Sequence, residues 1–171
     1  MGAHVSDVEL DCTHITVGTV GEPGDRTFYL QAAEGDRVFT FKIEKEGATA
    51  LAEHLVDLVD GIAATLGPDP VEPTPDMALR MPIRQDFVVG AIFIDFDDTR
   101  GKVAILCSEL VLDEEAEPAG AEARLLVSRT RARTLARHAA EIVEAGRPSC
   151  ELCGFPKGSH HICPRSNGRH E

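Results

Sequence analysis

The chain has 171 residues, of which 43% are hydrophobic, and its formal net charge at pH 7 is −12. This length and hydrophobic content predict one compact domain with a short tail. The negative charge argues against a general nucleic-acid surface, because binding to phosphates depends mainly on lysine and arginine. No apolar run approaches the roughly 20 residues that a membrane-spanning helix needs, so we expect no membrane association.

The first half of the predicted domain, residues 13–66, has the pattern of three strands and a helix. Turn residues separate three stretches with strand propensity, which are Val17–Val20, Thr27–Gln31 and Val38–Ile43. Apolar residues then recur at helical spacing. They are Ala48, Leu51, Ala52, Leu55, Leu58 and Val59. We therefore expect one amphipathic helix packed on three antiparallel strands.

A second half, residues 84–146, repeats this pattern after a proline-rich linker at 67–83. Phe39, Phe41 and Ile43 precede the first helix, and Ala123, Leu125 and Val127 lie 84 positions later, before the second. Val17–Val20 also resembles Val89–Ile92 at an offset of 72. The fold prediction is α+β, with two pseudo-repeated three-strand-plus-helix units forming one antiparallel-sheet domain over residues 1–146. The acidic, broken segment at 111–122 predicts a solvated loop.

One strand of the second half ends in a motif that resembles a phosphatase signature. The stretch Ala91–Thr99 contains Asp95-x-Asp97-x-Thr99 after an apolar run, as in haloacid-dehalogenase-type phosphatases. In those enzymes the two aspartates serve as nucleophile and general acid, with magnesium bound by carboxylates. That fold requires alternating strands and helices after the motif, whereas this chain offers a hairpin and one helix. The sequence that follows the motif therefore favours a turn between two strands over a catalytic site.

Four arginines begin the second predicted helix, and three of them share one helical stripe. Arg129, Arg133 and Arg137 lie four positions apart, near the positive end of the helix dipole, where cations are disfavoured. Such a stripe is a candidate surface for an acidic partner or a phosphate. The alternative is internal pairing with the acidic loop at 113–117, or with the first helix through Glu46, Glu53, Asp57 and Asp60. We favour internal pairing.

The last residues, 147–171, combine cysteine and histidine at metal-ligand spacing. Cys150-x-x-Cys153 is followed by His161-x-Cys163, a donor set that suits the tetrahedral sulfur and nitrogen shell of zinc. Four ligands leave no open position for water, so the site would be structural rather than catalytic. The neighbouring His160 is a less favoured fourth ligand.

Two other interpretations of these cysteines are open. A redox dithiol usually begins a helix, whereas Cys150 and Cys153 lie between prolines and glycines. A disulfide framework is disfavoured because the five cysteines are an odd number and the first residues lack a secretory signal pattern. We therefore expect a cytoplasmic protein with a C-terminal zinc knuckle at residues 147–171.

The chain also resembles a known family. The resemblance rests on Thr19-Val20-Gly21-x-Pro23-Gly24-x-Arg26-Thr27-Phe28, on the helix from Lys45 to Leu58, and on the Cys150-to-Gly168 tail. Together they resemble the ParJ-like actinobacterial proteins, a family of unknown function. One member is named for its association with the chromosome-segregation ATPase ParA. The resemblance implies a small cytoplasmic protein and a ParA-type ATPase as a possible partner, and no established reaction.

Three classes of function follow from these patterns. The leading hypothesis is a non-enzymatic zinc-binding adaptor or regulatory protein that acts through protein–protein interaction, because no nucleophile, base and orienting group can be recognised. A nucleic-acid-binding module that uses the knuckle is the alternative, although Phe155 is the only aromatic residue of the tail. An enzyme acting on a phosphorylated small molecule through Asp95 and Asp97 is the third.

Overall fold

The structure, a computed structural model, describes residues 7–113, 120–146, 150–155, 157 and 161–165. Within these residues, seven strands form one mixed sheet in the order β1-β7-β6-β5-β4-β3-β2, together with two helices. The predicted α+β class is therefore confirmed. In chain order the elements are β1 Val8–Asp11, β2 His14–Val20, β3 Thr27–Glu34, β4 Arg37–Ile43, α1 Lys45–Leu66, β5 Gln85–Asp97, β6 Lys102–Glu109, β7 Glu122–Val127 and α2 Arg129–Glu144.

The strand pairs that join the two halves run parallel, so the prediction of one antiparallel sheet is wrong. Within each half the pairs are antiparallel, as the turn signals predict. Between the halves, β4 lies parallel to β5 and β1 lies parallel to β7. The long connections through α1 and the linker allow the chain to return in the same direction. β1 was not among the predicted strands, because four residues with two apolar positions give too short an alternating pattern.

The strand register defines which residues of the two halves are equivalent. Leu10 of β1 pairs with Leu125, and Phe87 of β5 pairs with Phe41. Leu125 lies 84 positions after Phe41, and these two residues are equivalent in the two halves. Their partners, Leu10 and Phe87, are therefore equivalent as well, at an offset of 77 positions. β5 is thus the counterpart of β1 and β2 together. The predicted offset of 72 for these strands is wrong by five residues, because the Val-Gly pair occurs in both strands at positions that are not equivalent.

The sheet closes on itself at the junction between β1 and β2. These strands lie at opposite ends of the strand order, yet only Cys12 and Thr13 separate them in the chain. The N–H of Cys12 donates to the carbonyl of Leu126 on β7 (2.9 Å), and the N–H of Thr13 donates to Ala33 on β3 (2.8 Å). The two edges of the sheet therefore meet, which protects them from pairing with another chain.

The hydrophobic core is one cluster that contains alternate strand residues and one face of each helix. Both helices bury matching positions, which confirms the predicted apolar faces. Burying a large aliphatic side chain contributes roughly 1.5–3 kcal/mol, so these positions dominate the packing of the helices. The matching pairs are Ala48 and Ala132, Leu51 and Leu135, Ala52 and Ala136, and Leu55 and Ala139. In the described part of the chain, no helix is long and apolar enough to span a membrane.

Residues 77–80 of the linker lie against the face of the first half that points away from the core. The N–H of Arg80 donates to the side-chain oxygen of Gln31 (2.7 Å), whose amide nitrogen donates back to the Arg80 carbonyl (3.0 Å). The Thr16 hydroxyl donates to the carbonyl of Met77 (2.7 Å). Gly18 allows the linker to lie this close to the sheet, because a Cβ at residue 18 would be 2.5 Å from the side chain of Leu79. Side chains of the sheet thus satisfy the linker backbone where it has no regular structure.

Beneath the linker, His14 is 7% exposed, and its Nε2 has no hydrogen-bond partner among the described residues. Burial, followed by the nearby charge of Arg80, lowers the pKa of His14. The unfolded chain therefore takes up the proton first as the pH falls below about 6.5. We predict that acidification destabilises the protein through His14, by at most about 1.4 kcal/mol per pH unit.

Urea unfolding between pH 8 and pH 5 tests this prediction. His14→Gln should lose less stability than the natural protein over this range, whereas His54→Gln, at an exposed position, should follow the natural profile. Parallel pH profiles for the natural protein and His14→Gln would contradict the assignment.

Candidate metal centre

The tail begins with a tight turn that brings its first two cysteines together. The N–H of Gly154 donates to the carbonyl of Cys150 (2.8 Å), and the N–H of Cys150 donates to the carbonyl of Phe155 (2.7 Å). Gly154 has φ 74°, in the left-handed region that glycine adopts without steric strain. The turn therefore depends on a glycine directly after Cys153.

Four ligand atoms converge next to this turn. Single donor atoms of Cys150, Cys153, His161 and Cys163 all lie within 4.8 Å of one another. The Cys153 sulfur is 3.5 Å from Nε2 of His161. In a tetrahedral shell with Zn–S of about 2.3 Å and Zn–N of about 2.0–2.1 Å, these atoms would be about 3.5 Å apart. The cluster is therefore consistent with a metal site, and its donor set fits zinc.

The two cysteines of the turn have different acidities. The backbone N–H groups of Cys153 and Leu152 point to the Cys150 sulfur and lower the pKa of this thiol to about 6. Burial raises the pKa of Cys153. Because metals bind the thiolate form, the backbone of the turn prepares Cys150 as a ligand.

The two remaining cysteines lie outside this cluster. Cys12 and Cys107 lie in the core, and burial raises the pKa of each thiol to about 12, so both behave as packing residues. His160 lies outside the described residues. The structure thus brings together the four ligands named from the sequence, Cys150, Cys153, His161 and Cys163.

Two of the three arginines on the predicted stripe contact other parts of the same chain. Arg133 pairs with Asp69 of the linker and with Asp60 of α1, the latter at 2.6 Å, and both hydrogen bonds raise its pKa. Arg129 donates to the carbonyl of Gly67 (3.0 Å), where α1 ends. The pairing is thus internal, as favoured, but the linker supplies most of it. Of the predicted acidic loop, 114–117 lies outside the described residues.

Arg137, the third residue of the stripe, is exposed and borders a groove between α1 and α2. The groove has a volume of about 570 Å³, and Glu53 and Asp57 lie on its α1 side. Among the described residues, Arg137 has no ion pair. The use of Arg129, Arg133 and Arg137 for partner binding stays a prediction.

The structure places the phosphatase-like aspartates at a β-hairpin. Asp97 ends β5, accepts a hydrogen bond from the N–H of Arg100 (3.0 Å), and pairs with Arg124 (3.1 Å). These contacts, first the Arg100 N–H, lower the pKa of Asp97. Asp95 accepts from the N–H of Phe96, its own neighbour (2.8 Å). Asp97 is therefore held as a structural carboxylate of the turn between β5 and β6.

The comparison with known families matches most of the chain. Residues 10–163 match the family described as "Protein of unknown function (DUF3090)". The chain belongs to the DUF3090 family. Membership in a family of unknown function is thereby confirmed over most of the chain, and the likeness to ParJ-like proteins stays a prediction. No curated protein matches this DUF3090 chain.

The ion pairs between α2 and the linker predict unequal effects of two arginine substitutions. Arg133→Ala leaves the mostly buried carboxylate of Asp69 without its closest cation, and we expect the free energy of unfolding to fall by about 1–2 kcal/mol. Arg137→Ala, one turn further along the same helix, should change it by less than about 0.5 kcal/mol. Chemical denaturation measures both, and equal losses would contradict the internal role of Arg133.

Proposed function

We propose that the C-terminal cluster is a structural zinc knuckle and that the protein is a non-enzymatic adaptor or regulatory protein that uses this knuckle to bind another protein. The convergence of four ligand atoms from one short segment carries the proposal. A shell of three sulfurs and one nitrogen is complete without water, so the metal would hold the loop rather than activate a nucleophile. A segment this short cannot bury a core, and zinc binding would supply most of its folding free energy.

The surface of the knuckle supports a role in protein binding. Leu152, Phe155 and Ile162 are 59%, 61% and 88% exposed, although each is a large apolar side chain. Lys157 and Arg165 lie in the same short segment. Exposed apolar side chains grouped in one short segment are typical of interaction sites. The surface suits a partner with an apolar pocket and an acidic rim.

The resemblance to ParJ-like proteins makes a ParA-type ATPase the first partner to test. Nucleic acid is less well supported as a partner, because a net charge of −12 repels phosphates and the tail has one aromatic residue for stacking. An enzymatic role at Asp97 has little support, since this carboxylate is paired with Arg124.

We expect one zinc ion per chain in protein purified without added metal. Cys153→Ser should reduce the zinc content several-fold or more while the sheet and helices remain folded, because the four ligands belong to the tail alone. Elemental analysis with native mass spectrometry measures the zinc content, and circular dichroism measures the fold. Cys107→Ala, which removes a thiol from the core, is the matched control and should retain the zinc. A zinc-free natural protein with reactive thiols would contradict the proposal.

The adaptor role predicts that one exposed leucine matters for binding and another does not. Leu152 on the knuckle is 59% exposed, and Leu66 at the end of α1 is 60% exposed. Leu152→Ser should weaken binding to the ParA-type ATPase of the same organism about tenfold, because interface apolar anchors contribute 1 kcal/mol or more. Leu66→Ser should leave it unchanged.

Biolayer interferometry with the zinc-loaded variants measures both affinities. Equal weakening by the two substitutions would contradict a docking role for the knuckle. Absence of binding by the natural protein would exclude this partner, while the zinc measurement tests the knuckle independently.

A further inference from the structure

A small cleft lies between α1 and β5, and none of the four cluster ligands lines it. Its volume is about 250 Å³, below the roughly 300–1,000 Å³ of pockets for drug-sized ligands. Leu51, Ile92 and Ile94 contribute apolar lining, and Glu44 and His54 contribute polar groups. Gly47 also borders the cleft, and a Cβ at this position would have no atom within 4 Å. The cleft therefore suits a small ligand with an apolar part and a charged part.

The internal duplication shows what fills the equivalent space in the other half. Arg131 of α2 lies 84 positions after Gly47, the offset that relates the two helices. Its guanidinium donates to the carbonyl of Cys12 (3.0 Å), at the junction of β1 and β2. Cys12 corresponds to Val89, 77 positions later, and Val89 lines the cleft. The second half thus supplies an arginine side chain where the first half has a glycine and a space.

A carboxylate lies at the start of the helix in both halves. Before α2, the N-cap Ser128 donates its hydroxyl hydrogen to Glu72 (2.8 Å), and Glu72 lies 3.8 Å from Nε of Arg131. Before α1, the N-cap is Glu44 itself, and its side chain makes no capping hydrogen bond. The first half therefore has a carboxylate, Glu44, at this place. It lacks the arginine that lies beside the carboxylate in the second half, because Gly47 occupies that position.

We propose that this cleft binds an alkylguanidinium group, which takes the place that Arg131 occupies in the other half. The cation lies beside Glu44, and the aliphatic stem packs on Leu51 and Ile92. The recognised chemistry is a guanidinium on a short aliphatic chain, carried either by a free small molecule or by an arginine side chain of another protein. A net charge of −12 favours the approach of such cations.

Methyl-detected NMR with n-butylguanidinium as the probe tests the proposal. At pH 8, we expect saturable shifts of the Ile92 and Ile94 methyl signals, with a dissociation constant on the order of 1 mM for so small a ligand. The uncharged analogue n-butylurea has a similar shape and should bind at least tenfold more weakly. Equal binding of the two compounds, or no shifts of these methyl signals, would overturn the proposal.

Three substitutions test whether the ligand binds in this cleft. Gly47→Arg restores the arginine of the other half and should abolish the shifts, whereas Gly61→Arg, the same change elsewhere on α1 at another open position, should retain them. Glu44→Gln, which preserves the shape of the side chain, should weaken binding at least fivefold. Unchanged binding to Gly47→Arg would place the ligand elsewhere.

A final comparison separates the two sources of the guanidinium. Tighter binding of N-acetyl-arginine-methylamide than of n-butylguanidinium would indicate an arginine side chain of another protein. Equal or weaker binding would indicate a free small molecule. Either result supports the cleft as an alkylguanidinium site.

Discussion

The parallel pairing between the two halves is the constraint on which the rest of the structure depends. Within each half only three strands pair with one another, and one helix packs on them, which is too little to enclose a core. Residues 85–88 of β5 pair with β4 of the first half, and β1 pairs with β7 of the second. Because β1 continues through Cys12 and Thr13 into β2, the sheet closes and both helices share one core. Neither half is complete without the first strand of the other.

The features with functional potential lie where the two halves differ. At matching positions the helices bury the same kind of residue, as at Leu51 and Leu135, because both contribute to the common core. Away from the core this constraint disappears. Gly47 lies where the other half has Arg131, and this difference leaves a cleft. The linker follows α1, whereas the tail with the cysteine and histidine cluster follows α2. The duplication therefore supplies the stable scaffold, and the departures from it supply the candidate sites.

Sequence patterns predicted those parts of the structure that arise from local chemistry. Helical spacing predicted the buried faces of α1 and α2, and the spacing of Cys150, Cys153, His161 and Cys163 predicted the ligand cluster. Long-range pairing was not predictable in the same way, because an alternating pattern gives no information about which strand lies next to which. The cleft could not be predicted either, because the offset of 84 relates Gly47 to Arg131 but only the strand register relates Val89 to Cys12, which Arg131 contacts.

The same register explains why the tail would need a metal where the linker does not. Thr16 and Gln31 hold the linker by hydrogen bonds to its backbone. Their counterparts in the second half are Phe93, 77 positions after Thr16, and Leu106, 75 positions after Gln31. Neither side chain can accept or donate a hydrogen bond, so this face cannot hold an irregular segment as the first half does. A segment that follows α2 would then gain stability from within itself, and a shell of three cysteines and a histidine would provide it through metal coordination.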